Sequence, residues 1–75
     1  MRLVVDEEAD ALPLHLVDMP VAESNEIAPG VIVDDDESNQ VVGIEVLCLS
    51  TRRPPVNPMD VQFQVSSKTS APTEQ

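Results

Sequence analysis

Two apolar runs, Val31-Ile32-Val33 and Val41-Val42-Gly43-Ile44, flank the short acidic stretch Asp34-Asp35-Asp36-Glu37-Ser38-Asn39-Gln40. β-Branched side chains suit a pleated sheet and crowd a helix, so two such runs around one polar turn describe a β-hairpin. Residues 31–34 and 41–49 are the expected strands, and Asn39 is the best candidate for a left-handed turn position. Gly43, inside the second strand, marks a bulge or the close approach of another backbone. Just upstream, Pro29-Gly30 occupies the two central places of a type II turn, where glycine accepts positive φ, so the chain reverses before Val31.

The flanking segments extend the sheet. Residues 2–5 read as a short strand that stops at Asp6-Glu7-Glu8-Ala9-Asp10, a turn or single helical turn begun by Asp6. Residues 11–17 alternate, with Leu12, Leu14 and Leu16 on one face and Pro13 and His15 on the other. Proline donates nothing to a ladder, which assigns Pro13 to an edge, to an outward-facing amide or to a bulge. Asp18-Met19-Pro20 is a turn, and polar residues 21–27 form an exposed strand or an irregular crossing. Beyond Ser50, Pro54, Pro55 and Pro58 make an extended arm. Alternation returns from Met59 to Val65, as a last strand or one paired with another subunit. Residues 66–75 are too polar to offset ordering entropy and read as a disordered tail. The expected fold is mainly β: a small antiparallel sheet, a meander of four to five short strands over 1–50, an arm with a possible final strand over 51–65, and the tail.

A chain of 75 residues buries only about 60% of the surface that its unfolded form exposes, so it needs support. One cysteine, Cys48, excludes an internal disulfide, and with the single His15 it cannot make a zinc site of four Cys or His ligands. A partner subunit is the remaining support, giving a homo-oligomer. With Phe63 the only aromatic residue, the core must come from Val, Leu, Ile and Met. Net charge is −10, and through Ser50 there are 12 acids against one base, Arg2. Such a surface repels nucleic acid and anionic membrane and favours a small basic protein as partner. No signal-peptide pattern and no apolar run long enough to span a bilayer is present, making a cytoplasmic location the default.

Three blocks, Asp6-Glu7-Glu8-Ala9-Asp10-Ala11-Leu12, Glu26-Ile27-Ala28-Pro29-Gly30-Val31-Ile32-Val33-Asp34 and Val42-Gly43-Ile44-Glu45-Val46-Leu47, occur in an order and spacing that resemble a family of small bacterial proteins, domain-of-unknown-function family twenty-two eighty-three. The likeness covers roughly residues 1–50. The chain departs from the family pattern at Leu12-Pro13-Leu14, where the family shows Leu-Tyr-Ile, and at Asn39, where it shows Gly. The resemblance implies a small antiparallel β-protein, often encoded beside a small toxin-like protein, and implies no activity, cofactor or catalytic residue.

Asp34, Asp36, Ser38, Gln40, Val42 and Glu45 fall at places 1, 3, 5, 7, 9 and 12 of a calcium-loop register. Against metal binding, the glycine of place 6 is Asn39, place 9 is apolar, and strand formers replace the helices that hold such a loop. A solvated hairpin tip is the better reading, with Asp34, Asp36, Ser38 and Glu45 as the alternative metal ligands. Glycosidase chemistry needs two carboxylates across a cleft, for which a chain lacking Trp and Tyr has little material. His15 reads as a surface side chain, and Cys48, between Leu47 and Leu49, as a small buried hydrophobe. Phosphate loops and basic patches with interleaved aromatics are absent. Arg52 and Arg53 form the one basic cluster, either solvated or facing a partner's acids. No catalytic residue and no cofactor is expected. The sequence describes a non-enzymatic, self-associating acidic module, antitoxin-like in binding a basic partner; the alternative is a divalent-metal hairpin over 34–45.

Overall fold

Strands β1 (Arg2–Leu3), β2 (Leu12–His15), β3 (Glu23–Ala28), β4 (Val31–Asp35) and β5 (Val41–Val46) form one antiparallel sheet in the order β1-β2-β5-β4-β3. The structure, a computed structural model, describes residues 1–68. Strands β3, β4 and β5 follow one another as hairpins. The order then departs from a sequential meander, because β2 lies on the free side of β5 and residues 16–22 carry the chain to the far edge. Apolar alternation on β2 suits a strand flanked on both sides, whereas β3 is exposed throughout and suits an edge.

Each turn follows its local chemistry. In the β3–β4 hairpin Gly30 has φ 73°, as the type II place demands, and its N–H donates to Glu26 Oε2 at 2.9 Å. In the β4–β5 turn Asn39 is left-handed at φ 63°. There Asp36 Oδ1 accepts from the backbone N–H groups of Ser38 at 2.8 Å and Gln40 at 3.0 Å. Asp6 does begin a turn: its Oδ1 accepts from Ala9 N at 3.0 Å, and Asp10 closes the loop in the left-handed region at φ 57°.

Pro13 lies neither on an edge strand nor at a bulge. It sits in β2, between β1 and β5, and its carbonyl accepts from Val4 N at 2.9 Å. The N and O of one strand residue point to the same side, so the missing donor faces Val4 and the reciprocal bond cannot form. This explains why regular β1 pairing stops at Leu3 rather than Val5, although Asp6 and Ala11 resume the register as an isolated bridge.

The last strand ends at Val46, short of the expected Leu49. Leu47 N donates to Gly30 O at 2.7 Å, Cys48 turns left-handed at φ 56°, and Leu49–Thr51 forms one turn of 3-10 helix. Cys48 is therefore exposed rather than packed, and its neighbour Leu49 is fully buried instead. Residues 52–68 contain no strand. Met59, Val61, Phe63 and Val65 return to no ladder of this sheet and are 50–86% exposed. The expected tail lies outside the described residues beyond Lys68.

Alternation across the paired strands gives the sheet two unlike faces. One carries Leu3, Leu14, Ile44 and Val33 in a row across four strands, with Leu12, Val46 and Val31 in the next row; Val42, whose carbonyl accepts from Leu16 N at 2.8 Å, sits at a register shift opposite Asp34 and Asp35 and is buried. The other carries Arg2, His15, Gly43, Asp34 and Ser24 in a single row across all five strands, with Pro13, Glu45, Ile32 and Glu26 beside it. Among the described residues only Ala11, Val42 and Leu49 are buried hydrophobics. The methionines, expected in the core, are all exposed. A sheet normally buries its apolar face against a second layer, and no second layer is present among the described residues.

Candidate functional site

The polar face brings two of the calcium-register residues together and separates the others. Asp34, on β4 opposite Gly43, is buried and accepts a 2.6 Å hydrogen bond from Ser24 Oγ on β3. Glu45, two residues beyond Gly43 on β5, stands diagonally across from it between Pro13 and Ile32. Burial among these neighbours pushes the Glu45 carboxyl above its ordinary value near 4.5. The Asp34 charge and a hydrogen bond to Asp34 add to the rise, and His15 opposes it. Glu45 thus gives up its proton less readily than a free carboxyl. Gly43 makes the proximity possible, since a Cβ there would stand 3.2 Å from Asp34 Oδ2 and 3.2 Å from the Leu14 carbonyl.

Asp36 and Ser38 do not join this pair. They lie in the β4–β5 turn, where the Asp36 carboxylate is engaged by the turn's own N–H groups. An anionic oxygen that already accepts two backbone donors is a turn-former, the role of Asp at the first place of a type I turn. Among the described residues no three His, Cys, Asp or Glu side chains are grouped as a metal site requires. The 34–45 spacing is that of a hairpin whose first and last members meet on the sheet and whose middle members close the turn. His15 is exposed on the polar face, as its place in the alternation predicts.

Arg52 ties the arm to the sheet, and Arg53 is exposed and bonds only within the arm among the described residues. Arg52 Nη2 donates to the carbonyls of Pro29 at 3.3 Å and Gly30 at 3.4 Å, while its buried Nε has no partner among the described residues. Arg53 Nη1 donates back to the Arg52 carbonyl at 3.2 Å. The other anchor is Asp10, which sequence reasoning passed over. Its carbonyl accepts from Leu49 N at 3.1 Å, and its carboxylate accepts from Ser50 N at 3.1 Å and Ser50 Oγ at 2.7 Å. A long-range contact between a turn and a segment 40 residues later leaves no local signal.

The apolar face is the larger feature. Leu12, Leu14, Leu16, Val31, Val33, Ile44 and Val46 are only half-buried, and Leu3 is 50% exposed. Both sheet edges are blunted against strand addition: β1 has two residues, and β3 carries Glu23 and Glu26 and is broken by a bulge at Ile27. The molecule offers its surroundings a face rather than an edge.

Among the described residues, fold and surface define a single-layer antiparallel β-protein with one polar face and one half-buried apolar face. The chain belongs to the family described as "Protein of unknown function (DUF2283)", which matches residues 3–50. The match takes in all of the sheet but Arg2 and ends at Ser50, before the arm. No curated protein and no solved structure matches the chain.

Proposed function

We propose that the protein is a non-catalytic interaction module that self-associates through the apolar face of its sheet. The observation that carries this reading is the row Leu3, Leu14, Ile44 and Val33, with Leu12, Val46 and Val31 beside it, without a second layer among the described residues. Covering that surface is worth roughly 25 cal/mol per Å² of apolar area, and the three hydrophobic residues buried within the chain give it little else to rest on. Large exposed apolar patches on small proteins mark association surfaces.

The polar face supports a non-catalytic role. Its one hydroxyl in the central row, Ser24, lies on the exposed strand β3 and donates to the Asp34 carboxylate. The acid pair, Asp34 buried and Glu45 half-buried, lines none of the clefts that the described residues form around Met19, Pro29 and Arg2. The charge of −10 favours a basic protein as any further partner and directs it to the acidic side of the sheet.

Sedimentation equilibrium of the full chain tests the proposal. Reversible association in the micromolar range is expected, and Val33→Lys weakens it at least tenfold while far-UV circular dichroism is retained. A wild-type chain that stays monomeric at high micromolar concentration overturns the reading.

A further inference from the structure

We propose that the cleft between the 19–22 crossing and the β4–β5 turn receives a lysine or arginine side chain from a segment of a basic partner protein. This rests on the reading of the protein as an interaction module favouring a basic partner, adds the place and mode of contact, and does not depend on self-association. The cleft, of about 430 Å³, has Met19, Pro20 and Val21 on one wall and Asp36, Glu37 and Ser38 on the other. Glu37 is exposed, and Asp36 is half-buried.

Both walls are held by backbone bonds, so the cleft is formed before a partner arrives. Ala22 N donates to Asp35 O at 2.8 Å, tying the crossing to β4. In the turn, Asp36 N donates to Gln40 O at 2.9 Å and Asn39 N to Asp36 O at 3.0 Å. A preformed site loses little binding energy to ordering its own loops.

The lining selects the ligand. Asp35-Asp36-Glu37 place three consecutive acids at this end of the sheet, with Asp18 on the crossing, and no base lines the cleft among the described residues. Arg2, the one base before Thr51, lines the neighbouring cleft with His15 and Asp18. An anion is therefore repelled, and a wholly apolar ligand would strip water from two carboxylates without replacing it. A bare metal ion would leave Met19 and Val21 unused and would compete with Ser38 N and Gln40 N for Asp36 Oδ1. A long basic side chain satisfies both walls, its methylene stem on Met19 and Val21 and its charged head at Glu37 and Asp36. The apolar residues also continue past the cleft. Val17, Met19 and Val21 are 50–53% exposed and alternate with Asp18 and Pro20 along the crossing. A continuing strip suits a polypeptide, with further side chains beside the basic one, better than a free polyamine.

The test titrates the full chain with a capped peptide of alternating lysine and glycine, followed by methyl resonances at low salt. Saturable shifts are expected at Met19, Val21 and Ala22 and none at Leu14 or Ile44. Norleucine in place of lysine keeps the stem and drops the charge, whereas diaminobutyrate keeps the charge and shortens the stem. Each is expected to raise Kd at least fivefold, and a diaminobutyrate peptide that binds as well as the lysine peptide overturns the cleft in favour of diffuse attraction. Glu37→Lys is expected to raise Kd at least tenfold. Glu8→Lys makes the same change in net charge in the exposed turn before β2, at the opposite end of the sheet, and is expected to leave Kd within twofold. Equal losses in the two variants overturn the proposal, as do absent shifts with millimolar peptide; spermine binding as tightly as the peptide overturns a polypeptide as occupant. Peptide shifts on a chain that sediments as a monomer uphold the cleft and overturn self-association, and an associating chain without shifts does the reverse.

Discussion

The residue that organises the polar face is Gly43, because its missing side chain leaves room for Asp34 on one side and the Leu14 carbonyl on the other. A methyl group there meets both at 3.2 Å, and a strand carbonyl in an interior pairing cannot retreat. Gly43→Ala is expected to destabilise the fold by about 1–3 kcal/mol, read from denaturant midpoints at unchanged slope. Glu45 gives a prediction in pH. Its carboxyl holds a proton more tightly in the folded chain than in the unfolded one, so stability is full below the ordinary carboxylate range and falls as pH rises through the raised value. Glu45→Gln removes that loss. The variant should melt above wild type at neutral pH and together with it in acid below the ordinary carboxylate range; equal melting temperatures at both pH values would contradict the assignment. The close approach at Gly43 was legible in the sequence because a glycine within a β-branched run weakens the strand unless a neighbour needs the space. The Ser24–Asp34 bond was not, since it depends on a β3–β4 register set by the Pro29-Gly30 turn and the Ile27 bulge together.

At the scale of the element, short-range chemistry decides the turns and long-range contacts decide where strands stop. Asn39 and Asp36 were readable because each acts within its own turn. Asn39→Ala, which puts a Cβ without a polar partner at φ 63°, should cost on the order of 1 kcal/mol. Asp36→Ala, which removes the acceptor for Ser38 N and Gln40 N, should cost roughly 0.5–1.5 kcal/mol. Thermal melts of each variant check both values. The same melts with millimolar calcium are expected to leave wild type unmoved, because the Asp36 oxygen already serves the backbone; a rise abolished by Asp36→Ala would restore the metal reading. The end of β5 was misread for the opposite reason. Val46-Leu47-Cys48-Leu49 looks like continuous strand, but Asp10 and the Gly30 carbonyl capture the backbone at Leu49 and Leu47 and turn it. Neither partner is near in sequence.

For the whole molecule, β-class, the central hairpin and the exposed third segment follow from alternation and turn residues alone. The strand order does not, because the side of β5 on which β2 docks is fixed by packing across the sheet. The surface proposed for association is hidden from the sequence for a related reason. Unpaired edges are what a sequence of short strands suggests, whereas the assembled sheet has a two-residue edge at β1 and a bulged, acidic edge at β3. What remains open is the face, a property of register that no single strand displays. The most direct measurement is solvent paramagnetic relaxation of the Leu14, Val33 and Ile44 methyl groups, followed as protein concentration rises. These methyls should become shielded from a soluble relaxation agent as the chain associates, while those of Ala22, on the crossing between β2 and β3, and Val41, at the β4–β5 turn, stay accessible. Methyls on the apolar face that remain equally exposed at every concentration would contradict association through that face.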